Sequence, residues 1–151
     1  MGDKMIYKKH TTYYKSPKII LKYNLDKTYD YWSIGCTIYE LITGEIMFDP
    51  FDSEIEDVFG EVEDRNLMYL ISCAIGIPNN NILNNSKQSD IFFTSDKLCL
   101  RGYNIMKFNP FIDTLINYGE YLNKTNTISQ NYLFELIQIV SLYINYNMLF
   151  E

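Results

Sequence analysis

The spacing of apolar and polar positions along the chain predicts helices joined by polar connections. Apolar residues recur at the i, i+3, i+4 spacing of one helix face in four stretches, residues 28–44, 64–76, 111–121 and 129–146. No stretch shows the strict alternation of a half-buried strand, and no internal repeat is visible. The pattern therefore predicts a mostly α fold.

The first long helix, residues 28–44, has clear end signals. Thr28 is its predicted N-cap, Asp30 puts negative charge in the first turn, and Gly44 is the expected C-terminal stop. Apart from Asp30, Glu40 is the only charged residue in this stretch. We therefore expect the helix to be buried on most sides.

The middle of the chain is more polar. Asp64 is the predicted N-cap of the second helix, and Gly76 with Pro78 should end it. Residues 79–90 are rich in Asn and Ser and are predicted to form a loop.

Charge and cysteine content exclude several classes of protein. With 151 residues, a net charge of -6 and a pI near 4.8, the chain suits one acidic domain and argues against nucleic-acid binding. The three cysteines form no ligand-like pair and there is one histidine, so neither a zinc site nor a disulfide framework is expected. No apolar run is long enough to span a membrane.

We expect a cytoplasmic location, since the N-terminus has no signal-peptide pattern. Ile, Asn, Lys and Tyr are abundant, and Ala74 is the only alanine. This usage is typical of an AT-rich genome, and the host cell of a large DNA virus would suit it.

Two motifs in order resemble a protein kinase. Residues 11–21 read TTYYKSPKIIL, which is similar to the T-x-x-Y-R-[AS]-P-E end of a kinase activation segment. Residues 30–36 read DYWSIGC and match D-x-W-S-x-G-C, and residues 40–48 continue as E-L-x-T-G-x-x-x-F does. The resemblance implies large-lobe helices only, from the end of the activation segment onward, with a partial kinase domain over residues 11–151 and an N-terminal loop over residues 1–10.

The downstream order is similar to serine/arginine-protein kinases, within the group of cyclin-dependent and MAP-kinase type. It runs through Phe48-Asp49-Pro50, an acidic stretch, a helix ending at Gly76 and Pro78, Phe92-Phe93, and Lys107-Phe108-Asn109-Pro110-Phe111.

The residues that bind ATP and transfer phosphate in this family have no counterpart here. Neither a Gly-rich loop, a strand lysine, an H-R-D nor a D-F-G motif occurs in the 151 residues. We therefore assign no catalytic, cofactor-binding or metal-binding residue, and ATP and Mg²⁺ would belong only to the complete family. The expected function is a truncated serine/threonine kinase relative, inactive by itself, whose missing small lobe could lie in another chain. The alternative is a non-catalytic, pseudokinase-like module that binds basic peptides or another kinase.

The resemblance gives roles to several residues. Thr11 corresponds to the threonine near the substrate hydroxyl, and Tyr14 and Lys15 to the substrate-side floor, with Lys15 replacing an arginine. Asp30 corresponds to the carboxylate that holds the catalytic loop, although a first-turn acid also stabilises a helix by itself. The packing residues implied for the central helix are Trp32 and Gly35.

Acidic residues before and within the second helix suggest a docking surface. Serine/arginine-protein kinases hold Arg-rich peptides beside this region, and charge-assisted pairs would give such a surface affinity. The candidate residues are Asp57, Glu61, Glu63 and Asp64. The alternative is a plain solvated loop.

Lys18 departs from the family pattern. It replaces a glutamate that pairs with an arginine, and the arginine is also missing from its expected place just after Asn147. We expect a lysine that has lost its partner or turns to solvent. We also expect an apolar face on the central helix, because the elements that cover it in the family are missing, and hence aggregation, dimerisation or partner binding.

Overall fold

A computed structural model describes residues 12–24, 26–50, 61–96, 116–117, 124, 130–146 and 150. Its first element is a 3₁₀ turn at Thr12–Tyr14. The helices that follow are α1 (Pro17–Ile20), α2 (Thr28–Thr43), α3 (Glu61–Ile75), α4 (Asn80–Asn85), α5 (Ser89–Phe92) and α6 (Gln130–Tyr143). The predicted mostly helical fold is confirmed, and within these ranges no residues form an extended strand.

Helix α2 begins one residue earlier than the capping prediction placed it. Thr28 is the first helical residue, so the prediction that it is the N-cap is wrong. The carboxylate of Asp26 accepts the hydrogen bond of the Thr28 amide at 2.8 Å and so satisfies a first-turn donor. The predicted end is confirmed, because Gly44 has φ +76° and its amide donates to the Glu40 carbonyl at 2.8 Å.

One side of α2 forms the centre of the core. Trp32 is fully buried and its ring stacks on Phe48 with centroids 5.7 Å apart. The opposite side is open, with Tyr31, Ile34 and Leu41 exposed by 38%, 44% and 80%. The prediction that α2 is buried on most sides is therefore wrong, and the predicted exposed apolar face is confirmed.

Helix α6 packs along α2 and covers part of it. Val140 and Ile144 enter the core, and Gly35 lies at the point of closest approach. The bounds of α6 fall within the predicted helix at residues 129–146.

Helix α3 starts at Glu61, so Asp64 lies inside the first turn and is not the N-cap. The Asp64 carboxylate forms an ion pair with Lys15. The predicted end is confirmed, with Gly76 at φ +86° directly after Ile75.

The predicted loop at residues 79–90 is wrong, because it contains α4 and the start of α5. The Asn79 side chain caps α4 by accepting from the Ile82 amide at 3.0 Å. Ile82 and Leu83 are buried, and this burial holds a short polar helix that propensity alone disfavours.

Several predictions lie outside the described residues. They include the N-terminal loop at residues 1–10, Thr11, Asp57 and the 107–111 motif. Of the predicted helix at residues 111–121 only residues 116–117 are described, and they are helical. Within the described part of the chain, every helix is too short or too polar to cross a membrane.

Candidate functional site

The segment that resembles the end of an activation segment docks on α2 through Tyr14. The Tyr14 hydroxyl donates to the Glu40 carboxylate, and the Ser33 hydroxyl donates to the Tyr14 carbonyl at 3.0 Å. The bond to Glu40 raises the pKa of Tyr14, because it stabilises the protonated phenol. Tyr14 is thereby held at both its side chain and its backbone.

The same segment is held by the first turn of α3. The Lys15 ammonium forms an ion pair with Asp64, and the Thr12 hydroxyl donates to the Glu63 carboxylate at 3.2 Å. The side chains of Lys15 and Asp64 are only 13% and 28% exposed. Of the acids predicted to dock a basic peptide, Asp64 is therefore engaged by Lys15 of the predicted substrate-side floor, and Glu63 by the nearby Thr12.

This meeting of the two candidate sets was missed by sequence reasoning. About fifty positions separate Lys15 from Asp64, and no local pattern links them. The other docking candidate on α3, Glu61, is the first residue of that helix.

Asp30 lies on the open side of α2. It is exposed in the first turn and lines an open groove of about 380 Å³ with Ser33, Ile34, Thr37 and Ile38. The groove is lined by two isoleucines, one carboxylate and two hydroxyls. This mixture suits contact with a polypeptide surface, because apolar side chains lie beside polar groups that can form hydrogen bonds.

Trp32 and Gly35 are buried residues of α2 itself. The Cys36 thiol is buried next to them, and burial raises its pKa, so it is an inert core group. Among the described residues, no group of His, Cys, Asp and Glu side chains could hold a metal ion.

Lys18 is neither unpaired nor turned to solvent, contrary to both expectations. It is 1% exposed, and its ammonium donates to Asp26 at 2.7 Å and to the Thr28 hydroxyl at 2.9 Å. Partial burial would raise the pKa of Asp26, but hydrogen bonds from Lys18 and Thr28 outweigh it and lower the pKa from 3.8 to about 2. The sequence did offer a signal for this ion pair, because Asp26 lies only eight residues after Lys18.

Comparison with known proteins supports the resemblance to protein kinases. The protein kinase domain family matches residues 3–118. Protein kinase dsk1 of Schizosaccharomyces pombe is 30% identical over 105 residues, which cover 70% of this chain and 18% of dsk1. Serine/threonine-protein kinase SKY1 of Saccharomyces cerevisiae is 27% identical over 145 residues, covering 92% of this chain and 19% of SKY1.

A third relative, serine/threonine-protein kinase SRPK of Physarum polycephalum, is 31% identical over 88 residues, covering 58% of this chain and 20% of that protein. The matched parts span between 8% and 20% of the curated relatives. Both the sequence motifs and these relatives therefore support the resemblance to serine/arginine-protein kinases. Since the family match covers most of the 151 residues, the chain belongs to the protein kinase domain family.

Proposed function

We propose that this chain is the helical, substrate-side part of a serine/threonine kinase similar to the serine/arginine-protein kinases, and that it transfers no phosphate alone. Phosphoryl transfer depends on positioned groups that hold the phosphates, Mg²⁺ and the attacking hydroxyl. The 151 residues contain none of the motifs that supply those groups. ATP and Mg²⁺ would be bound only with further kinase residues, in the same polypeptide or in another.

The open face of α2 is the observation that carries this proposal. Ile34 and Ile38 line the groove there, and Tyr31 and Leu41 are exposed on the same helix. Covering apolar surface is favourable by about 25 cal/mol per Å². Asp30 at the groove could accept hydrogen bonds from backbone amides of the covering segment, as its resemblance implies.

The segment at residues 12–15, which contains the predicted substrate-side floor, supports the same proposal. Its anchors on α2 and α3 are all supplied by this chain, through Glu40, Ser33, Glu63 and Asp64. A floor for substrate could thus be formed before any ATP-binding part joins it.

The test has two arms. In the first, the purified chain is titrated with Mg·ATP and assayed for phosphate transfer to an Arg-Ser repeat peptide. We expect neither binding nor transfer above the level of buffer. Transfer by the chain alone would show that the proposal is wrong.

In the second arm, the matched region of dsk1 is replaced by this chain, and the chimera is assayed on the same peptide. We expect activity, because the open face of α2 then receives the rest of the kinase domain. Ile34→Arg in the chimera should reduce activity at least about tenfold, since a buried unpaired charge is costly. Ile91→Arg is the matched control, because Ile91 and Ile34 are both 44% exposed and Ile91 lies on α5. Equal loss in both variants would refute a specific role for the groove.

The alternative, a non-catalytic binding module for basic peptides or another kinase, has weaker support. A peptide would have to share or displace the contacts of Thr12 with Glu63 and of Lys15 with Asp64. Binding of an Arg-rich peptide by the isolated chain without phosphate transfer would favour this alternative. For either function we propose that the protein acts in the cytoplasm. More specifically, we propose the cytoplasm of a cell infected by a large DNA virus.

A further inference from the structure

Lys18 has more contacts than its ion pair with Asp26. The ammonium lies 5.6 Å from the ring centre of Tyr23 and 5.7 Å from that of Phe150. Those two rings meet edge to face, with centroids 4.8 Å apart. A cation within about 6 Å of an aromatic centroid is attracted to the ring. Lys18 thus has a carboxylate on one side and an aromatic pair on another.

Phe150 lies in the part of the chain where the family is expected to place the partner of this position. In the resemblance, the position of Lys18 holds a glutamate whose partner is an arginine placed shortly after Asn147. Here Phe150 comes from that part of the chain and reaches Lys18. This end of the chain therefore contacts Lys18 through an aromatic ring in place of a charged partner.

We propose that a different buried cluster replaces the pair of the family in this chain, with Lys18 as the cation and with Asp26 and Phe150 as its two partners. Together these residues form a latch between the C-terminal end of the chain and α1. This inference goes beyond the proposed function and does not depend on it.

The latch has a local part and a distant part. Asp26 is close in sequence and neutralises the buried ammonium, which would otherwise be costly. Phe150 is distant and closes over the same group, and its ring also lies 6.3 Å from that of Tyr146. The Tyr146 hydroxyl donates to the Gly76 carbonyl at 2.9 Å, which ties this end of the chain to α3 as well.

The latch bears on the candidate site because only the capping residue Ser16 separates Lys15 from α1. Ser16 is fully buried and caps α1, and all four residues of the helix are buried. Holding α1 in place therefore also holds Tyr14 and Lys15 at their partners. The latch allows this without the arginine that the family uses.

The test is a double-mutant cycle on the full 151-residue chain, followed by urea unfolding. Trp32 is the single tryptophan and is fully buried, so its fluorescence reports the core. All variants carry Asp26→Asn, so that the leftover carboxylate does not repel a new glutamate. Relative to the Asp26→Asn chain, we expect the addition of either Lys18→Glu or Phe150→Arg to lower the unfolding midpoint by on the order of 1 M urea. The double variant, which restores the family's charge order, should regain a large part of that loss.

A milder cycle covers the case in which a charge-reversed variant does not fold. Phe150→Leu should lower the midpoint in the native background and should do so much less in a Lys18→Met background. Lys87→Glu, at an exposed lysine, controls for the general effect of adding negative charge to an acidic chain. Strictly additive losses in the cycles would overturn the latch.

Discussion

Gly35 of α2 lies so close to Ile144 that a methyl group at position 35 would be 2.7 Å from the Cδ1 atom of Ile144. The same methyl group would lie 2.8 Å from Cβ of Tyr143. The Ile144 terminus can rotate away, but Cβ of Tyr143 moves only with its backbone. Glycine at this position therefore lets α2 and α6 pack at their observed distance.

Gly35→Ala should lower the free energy of unfolding by about 1–3 kcal/mol, because over-packing displaces α6. Urea unfolding monitored by the fluorescence of Trp32 measures the loss. Adding Ile144→Val removes the Cδ1 atom and should recover part of it. Unchanged stability in Gly35→Ala would mean that α6 does not pack as described.

The ion pair between Lys15 and Asp64 should contribute about 0.2–1 kcal/mol, because both side chains keep some contact with solvent. A double-mutant cycle of Lys15→Met and Asp64→Asn measures this coupling. The coupling should fall as salt rises from about 0.05 M to 1 M, since ions screen partly exposed charges.

Hydrogen exchange of the amides around Lys15 gives a second measure of this pair. Asp64→Asn should speed their exchange, whereas Lys87→Met, at an exposed lysine on a different part of the surface, should not. A coupling of zero at low salt would contradict the docking of this segment on α3.

The charge of Asp26 should make stability depend on acidity. The pKa of Asp26 is lowered from 3.8 to about 2 in the folded chain, so its contribution is fully present above the unfolded pKa. The contribution should be lost as pH falls from about 4 to about 2. Because the Asp26 side chain is 55% exposed, solvent screening keeps the effect modest.

Comparison of the native chain with Asp26→Asn across this range checks the effect. The difference between their urea midpoints should be constant above pH 5 and should close by about pH 2. Asparagine keeps an acceptor for the Thr28 amide, so the difference reports the charge of Asp26 together with its bond to Lys18. A gap that does not change with pH would rule out the charged pair with Lys18.

The open face of α2 should make the isolated chain self-associate. Leu41→Lys together with Ile34→Lys should shift the chain toward monomer, because these side chains are exposed by 80% and 44% and contribute little to the core. Size-exclusion chromatography with light scattering over a range of concentrations measures the shift. Ile91→Lys is the control and should leave association unchanged, whereas a native chain that is monomeric throughout would contradict the prediction.

Local sequence patterns predicted the features that depend on neighbouring residues. The helical period of α2 and α6 and the glycine stops at Gly44 and Gly76 were right, since periodicity and left-handed backbone conformations are properties of a few adjacent positions. The predicted N-caps at Thr28 and Asp64 were wrong. The neighbouring Asp26 carboxylate accepts from the Thr28 amide, and the Asp64 carboxylate pairs with the distant Lys15.

By itself, the sequence determined a mostly helical chain of the protein kinase family, with a central helix around Trp32 and Gly35. Only the tertiary structure decided which charges pair. It joined Lys15 to Asp64, and it buried Lys18 between Asp26 and Phe150. Helices form from local spacing, whereas the partner of a buried charge depends on which distant side chains folding brings within a few ångströms, and no sequence period encodes that distance.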